Sequence, residues 1–404
     1  MKISLFTPTH DSRFLSDLYE SIKNQDFYEW IIVYNNGAVP LYFPDDRVKC
    51  HVLPFAPEWV GPLKAFACSL CTGDVLVEMD HDDLLTPDAV VEIAKAFADP
   101  EVGFVYSNTI HCTGSFGKTQ RFDPSYGWSY REVRFRGHAL DEHISFAPDP
   151  NSIGRIWFAP NHVRAFRRET YEQVGGYDTG MRVLDDLDLM AKLYKVTKFK
   201  HIDKGLYVYR VHGENTWLRF NAEIQNNVYT VYDKHIQDLC LRWSQINGLR
   251  SIDLGGAIDS PAGFESVDIH NADIVCDLNE RWPFEDSSVG VLRAYDVLEH
   301  LRDPLHSMKE IHRVLAPGGY ALIQVPSTDG RGAWQDPTHV SYWNENSFLY
   351  YTNSRWAKYI GTPVRFQEMR CYTTALNSDK VCWTVAHLVK LGGEDRRFPG
   401  LINI

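Results

Sequence analysis

Two successive series of short apolar runs, alternating with amphipathic stretches, constrain this chain more than any other feature. In the first series Ile3–Pro8, Trp30–Tyr34, Val75–Met79 and Phe104–Ser107 read as strands, and Phe14–Asn24, Leu63–Leu70 and Pro87–Phe97 as the helices between them. Leu15, Leu18 and Ile22 recur at helical spacing, and Pro87 stands where a helix start tolerates a missing N–H. Such alternation builds a mostly parallel sheet with helices on both faces, and its ligands bind beyond the C-terminal strand ends. The second series reads as strands Ser251–Leu254, Ser266–Ile269, Val289–Tyr295 and Tyr320–Val325. It includes a helix His306–Leu315 stopped by Ala316-Pro317-Gly318-Gly319. Asn221–Gly248 reads as a helix followed by a connector. The 404 residues are too many for one ordinary core. The expected layout is two α/β domains, residues 1–245 and 246–375, with 376–404 as a C-terminal tail carrying no legible chemistry.

Within the first series, Glu78-Met79-Asp80-His81-Asp82-Asp83 packs its carboxylates into one turn directly after the apolar Val75-Leu76-Val77. Repulsion among those charges is costly unless a divalent ion sits among them. Mg²⁺ or Mn²⁺ carrying a diphosphate is the expected tenant, which points to chemistry in which a nucleoside diphosphate is bound or released. An Asp-rich turn by itself is more often a solvated loop, so the weight rests on its surroundings.

The formal net charge of −12 argues against a general nucleic-acid binder, which would show a basic face. It also leaves no polybasic membrane anchor. No apolar run approaches the ~20 residues needed to span a bilayer, and Met1–Phe6 runs into a strand-like segment without a signal-peptide layout. Eight scattered cysteines suit a reducing compartment, so a cytoplasmic location is expected. Cys68 and Cys71 form a CxxC with no second pair at metal-site spacing. They read as core thiols, with a metal or redox role as the alternative.

The order of motifs over residues 1–220 resembles the family-2 glycosyltransferases, which have a nucleotide-diphospho-sugar-binding fold of the A type. Thr7-Pro8-Thr9-His10 ends the first strand as that family's opening turn does. Tyr34-Asn35-Asn36-Gly37 stands where the family has an Asp-rich turn on the nucleotide base; Asn for Asp keeps hydrogen bonding and removes charge. Gly61-Pro62-Leu63-Lys64-Ala65-Phe66-Ala67 is similar to the helix before the metal strand, where Lys64 would neutralise phosphate or remain a solvated helix lysine. Asp80-His81-Asp82-Asp83 looks like the metal-binding acid motif. By that resemblance Asp80 holds ribose or metal, Asp82 the metal, and Asp83 is a second metal or ribose candidate, His81 being incidental.

Arg164–Tyr171 and Val174-Gly175-Gly176-Tyr177-Asp178 resemble the segment that shapes the acceptor side. Leu184-Asp185-Asp186-Leu187-Asp188-Leu189 resembles the motif that carries the general base. Asp186 matches the base, Asp185 is tested second, and Asp188 is structural; N-capping is the alternative role for the acidic pair. Tyr207–Thr216 resembles the end of the family's catalytic domain, with Arg210 as a diphosphate partner and His212 as a metal or phosphate contact. The resemblance also implies inversion at the anomeric carbon.

Residues 249–352 resemble the class I S-adenosylmethionine-dependent methyltransferases, so both domains are expected to be Rossmann-like. Ser251–Ala257 looks like the first cofactor motif, giving Asp253, Gly255 and Gly256 as cofactor-binding residues, and Ala257 stands where a further glycine is usual. Ser266–Ile269 supplies Asp268 for the ribose and Val275–Asn279 supplies Asp277 near the adenine. Pro283–Ser288, Ala294–Leu301 and Arg313–Gly319 continue the family's motif chain. His300 and His339 are the base candidates for methyl transfer. Only about a dozen residues link the first strand to the next, too few for a full crossover helix.

The expected activity is metal-dependent transfer of a sugar from a nucleotide-diphosphate donor, a UDP-sugar first, to a glycan, lipid or protein hydroxyl, with O-methylation of a sugar by the second domain. Two rival classes stay open. A nucleotidyltransferase would show a Gly/Arg/Lys-rich phosphate loop after the first strand, and Phe6–Ser12 has none. A non-catalytic glycan or nucleotide-sugar binder would ignore Asp186→Asn. A second domain retained only as a folded, non-catalytic unit is the third variant.

Overall fold

A computed structural model describes residues 1–53, 59–257 and 259–391. Among the described residues the chain divides into two compact units, Met1–Ile236 and Gln237 to residue 391. The division falls inside one helix, Asn221–Ile246, where a helix ending in a connector near residue 245 was expected. No breaker interrupts the run, and Gly248 at φ +64° follows it, the residue type and conformation that stop helices.

The first unit is built on strands β1 (Ile3–Thr9), β2 (Glu29–Tyr34), β3 (Val48–Val52), β4 (Val75–Glu78), β5 (Leu84–Leu85), β6 (Val102–Thr113), β7 (Tyr130–Phe135), β8 (His138–His143), β9 (Arg164–Arg167) and β10 (Lys198–Val211). The sheet order is β3-β2-β1-β4-β9-β6-β10-β5, with the β7–β8 hairpin attached to β6. β3, β2, β1 and β4 run parallel, as does β10 along β6; β9 is inserted antiparallel between β4 and β6.

The core follows the two-residue period of the strands. Leu5, Trp30, Ile32 and Val77 pack on one face with Leu15, Leu18 and Ile22 of the helix Leu15–Ile22. Phe6, Ile31, Val33 and Leu76 pack on the other with Leu187 and Leu193 of the helix Asp185–Val196. Burial on both faces explains why β2 and β4 carry the apolar runs Trp30–Tyr34 and Val75–Val77 and why even the polar Ser4 and Thr7 of β1 are buried. Cys68 and Cys71 are buried free thiols. Glu29 is buried at the start of β2, where its carboxylate accepts from the Ser4 hydroxyl (2.7 Å), the Thr72 N–H (2.6 Å) and Lys49 (2.6 Å). Burial opposes ionisation there, but those donors outweigh it and hold Glu29 down at about 2.

The second unit carries β11 (Arg250–Leu254), β12 (Glu265–Asp268), β13 (Ile274–Val275), β14 (Val289–Tyr295), β15 (Leu315–Pro326), β16 (Phe366–Thr373) and β17 (Trp383–Lys390) in the order β13-β12-β11-β14-β15-β17-β16. The first five are parallel and β17 is antiparallel to both neighbours. Strand order reverses between β11 and β14, the point at which doubly wound sheets bind ligands. The segment expected to be a tail is corrected here: Trp383–Lys390 lies between β15 and β16, its Val385, Ala386, Leu388 and Val389 buried. Ala316–Gly319 also differs from expectation, since the helix Pro304–Val314 ends before it and these residues lie within β15. Among the described residues no helix links β11 to β12, as the short spacing predicts.

Candidate active site

A cavity of about 480 Å³ opens over the C-terminal ends of β1, β2 and β4. Pro8, His10 and Asn35 line one wall, Asp80 and Asp82 an edge, and Glu78, Lys64, Asp185 and Asp186 the floor. His162, Tyr209 and His212 line it as well, together with Arg13, Arg182 and Arg219.

The turn after β4 is fixed from β10. The Asp80 N–H donates to the Tyr207 hydroxyl (3.0 Å), and the Asp83 N–H donates to the Asp80 carbonyl (3.4 Å). This turn splits the three aspartates. Asp82 faces the cavity with its Oδ2 2.8 Å from His212 Nε2. His212 Nδ1 accepts the Glu214 N–H (3.2 Å), and its ring stacks on Phe14 with centroids 5.8 Å apart. Asp80, its side chain 37% exposed, stands 3.8 Å from His162 Nε2. Asp83 is turned inward: it is 1% exposed, its Oδ1 accepts the Arg210 N–H (2.7 Å), and it does not line the cavity. Burial, with Asp82 and Asp80 nearby, pushes its carboxyl well above the usual range.

The floor is a buried charge network. Lys64 Nζ lies 2.5 Å from Glu78 Oε1 and 3.1 Å from Asp185 Oδ2. The Tyr177 hydroxyl donates to Glu78 Oε2 (3.2 Å). Arg164, at the start of β9, donates to Asp186 Oδ2 (2.5 Å), while Asp186 Oδ1 accepts the Leu187 N–H (2.8 Å). The two neighbouring aspartates are thereby driven apart. Burial raises Asp185 to about 6, with Asp186 and Glu78 adding to the rise against Lys64. Burial also opposes ionisation of Asp186, but the Arg164 guanidinium outweighs it and lowers that carboxyl. Asp188, buried, pairs with Lys192 (2.7 Å), Lys234 (2.7 Å) and His235 (2.8 Å), a structural role.

Three sequence expectations, for Thr7, Arg210 and Asp83, are corrected by this geometry. Thr7 is buried and its hydroxyl accepts the Trp30 indole N–H (2.9 Å), so Pro8 beside it reaches the cavity and Thr7 does not. Arg210 lies on the opposite face of β10 from Tyr209, stacks near Phe14 (5.1 Å) and pairs with Asp17, away from the cavity. Lys64 does line the cavity floor, held there between two carboxylates. Asp83 is a structural acid. Conversely, His162 and Tyr209 line the cavity, and Arg164 and Tyr177 hold its carboxylates from behind; the motifs single out none of the four. Arg164 had a signal, since it opens the basic segment Arg164–Tyr171 that resembles the acceptor-side motif.

The cavity-facing donor set at the edge is two carboxylates, Asp80 and Asp82, with one imidazole, His212. Oxygen donors with one nitrogen fit Mn²⁺ or Mg²⁺.

In the second unit Gly255 takes φ +74°, and its N–H donates to the Val267 carbonyl (2.8 Å). A Cβ on Gly256 would stand 2.4 Å from Asp253 Oδ2, and Asp253 pairs with Arg293 (2.8 Å). Asp268, at the end of β12, accepts the Ile269 N–H (2.6 Å) through one oxygen only, leaving the other for a ribose hydroxyl. Asp277 is engaged with the N–H and side chain of Asn279 (both 2.9 Å). The glycine turn and Asp268 thus fit the cofactor's polar ends. His300 and His339 come together with ring centroids 4.9 Å apart, beside Glu299, which burial pushes up to about 8.

Comparison with known proteins defines the class. Residues 4–173 match the family model for glycosyl transferase family 2, and residues 260–323 match that of a methyltransferase domain, in the order the motifs predict. The chain therefore carries a family-2 glycosyltransferase domain followed by a methyltransferase-like domain. The second match begins after Asp253, Gly255 and Gly256.

Among individual proteins, the O-antigen biosynthesis protein RfbC of Myxococcus xanthus is 26% identical over 227 residues, 51% of this chain and 15% of that protein. A chondroitin synthase of Pasteurella multocida is 22% identical over 247 residues, 58% of this chain and 23% of that protein. The chain thus spans less than a quarter of the length of these two relatives. Among solved structures, S. aureus TarS 1–349 in complex with UDP-GlcNAc aligns with a TM-score of 0.42 at 14% identity, covering 61% of this chain and 73% of that one.

Proposed function

We propose that the first unit transfers a sugar from a nucleoside-diphosphate donor to an acceptor hydroxyl in a cation-dependent, inverting displacement. The observation that carries this reading is the juxtaposition of Asp80, Asp82 and His212 with the Asp185–Asp186 pair around one cavity. A divalent cation, when bound, supplies charge stabilisation to the departing diphosphate. Asp82 and His212 would hold it, with Asp80 completing the set or accepting a ribose hydroxyl. Asn35, at the end of β2, offers neutral hydrogen bonds to a base. Asp186 takes the acceptor proton: its side chain is 20% exposed against 5% for Asp185, and Arg164 orients it. Asp185, Lys64 and Glu78 hold the floor beneath it. The names of the relatives, O-antigen biosynthesis and chondroitin synthesis, favour a growing glycan as acceptor.

The test is release of nucleoside diphosphate from a panel of nucleotide sugars with Mn²⁺, beginning with UDP-sugars. Asp186→Asn and Asp82→Asn should each lower the rate about 100- to 1000-fold. No turnover of any donor, or turnover indifferent to chelator, would remove the reading. For the second unit, the proposal is S-adenosylmethionine binding at Gly255, Gly256 and Asp268 in support of O-methylation of a sugar, with His300 and His339 beside the reacting centre. Calorimetry with the cofactor decides it, and undetectable binding at millimolar cofactor would reject it.

A further inference from the structure

Glu299 and His300 lie in the single 3₁₀ turn just after β14, and His339 in the loop after the helix Gly332–Gln335. This is the C-terminal side of the strand at which the second sheet's order reverses. One ligand-type atom from each of the three residues lies within 4.8 Å of the others.

The hydrogen bonds around them fix which ring nitrogens are available. Thr338 donates its hydroxyl to Asp336 Oδ1 (2.6 Å), so its oxygen is left to accept from His300 Nδ1 (3.0 Å). His339 Nδ1 faces the Ala333 carbonyl (3.1 Å), which can only accept. Each histidine thus carries its proton on Nδ1 and keeps a lone pair on Nε2. That is the arrangement in which an outer oxygen orients a metal-binding imidazole. His339 Nε2 stands 3.9 Å from Glu299 Oε1, beyond hydrogen-bond distance. Glu299 is 2% exposed, and its Oε2 has no hydrogen-bond partner. A buried carboxyl oxygen left unpartnered beside imidazole nitrogens it cannot reach is a polar group that lacks its ligand. A shared cation satisfies all three at once.

We propose that Glu299, His300 and His339 form a divalent-metal site in the second unit, separate from the acidic turn of the first. Two imidazoles and one carboxylate suit Zn²⁺, three protein ligands leaving a coordination position open to water or a ligand oxygen. Bonds of about 2.0–2.2 Å place ligand atoms about 3–3.5 Å apart, so small side-chain rotations close the observed set. Val297, two residues before Glu299, stands 2.9 Å from where a Cβ on Gly255 would be, so the site adjoins the glycine turn.

The test uses the full chain bearing Asp82→Asn, which removes the first unit's cation ligand, stripped with chelator and titrated with Co²⁺. The expected result is one equivalent of Co²⁺ with strong visible d–d bands, displaced by Zn²⁺. His339→Ala and His300→Ala should each weaken binding about 100-fold or more, with far-UV circular dichroism matching the parent. Should His339→Ala fail to fold, His300→Ala carries the test alone. Absence of the bands in the parent, or unchanged affinity in a folded histidine variant, overturns the proposal.

Discussion

Lys64→Met separates a buried structural lysine from a phosphate ligand. The lysine side chain is 10% exposed and stands 2.5 Å from Glu78 and 3.1 Å from Asp185, each of which is 5% exposed or less. Removing the shared cation leaves two buried carboxylates uncompensated, and breaking a buried pair in this way costs about 3–5 kcal/mol. For a unit of this size each kcal/mol lowers Tm by about 2–4 °C, so a fall of about 6–20 °C is expected at pH 8. Asp185 already titrates near 6 with Lys64 present, and loss of that lysine raises it further. A carboxyl whose folded pKa lies above its unfolded value gains stability as pH falls through the folded pKa. The variant's deficit should therefore shrink between pH 8 and pH 5. Thermal unfolding followed by far-UV circular dichroism at both pH values measures it. A Tm near that of the parent at pH 8, or a deficit equal at both pH values, would refute the buried-network reading.

Glu29→Gln should cost about 3 kcal/mol at neutral pH, because a folded pKa of about 2 lies well below the unfolded value. That contribution is complete above about 4.5 and fades as pH falls toward 2, so urea unfolding of parent and variant should converge in acid. Arg210→Met should lower thermal stability through loss of its Asp17 pair while leaving the KM for donor unchanged; a raised KM at normal stability would return Arg210 to the diphosphate. Gly256→Ala drives a Cβ to 2.4 Å from Asp253 Oδ2 and should weaken S-adenosylmethionine binding at least about tenfold by calorimetry, without altering nucleoside-diphosphate release. Arg164→Ala removes the donor that holds Asp186, so the acidic limb of the pH–rate profile should move upward, read from kcat between pH 5 and pH 9.

The first unit's parallel strands and acidic turn were legible because β1, β2 and β4 are buried on both faces and so appear as short, predominantly apolar runs. The short β5 and the inserted β9 were not, since their identity comes from pairing with neighbours distant in sequence. Motif order found the site's region but not the aim of each side chain. Strand parity turns Arg210 from the cavity and Tyr209 toward it. The Asp80–Asp83 turn sends Asp82 outward and Asp83 inward, a distinction no spacing carries. Thr7 and Pro8, adjacent in sequence, part in the same way. β17 offered a readable apolar run, Val385–Val389, interrupted by the buried His387. Its place inside the sheet followed only from antiparallel pairing across a loop.

In the proposed function the acidic turn holds a cation that in turn holds a diphosphate. Calorimetric titration of UDP into the intact protein, with Mn²⁺ and then with chelator, tests this most directly. The prediction is binding strengthened at least about tenfold by Mn²⁺, with the gain lost in Asp82→Asn and in His212→Ala. Equal affinity with Mn²⁺ and with chelator, or a gain that survives both substitutions, would contradict it.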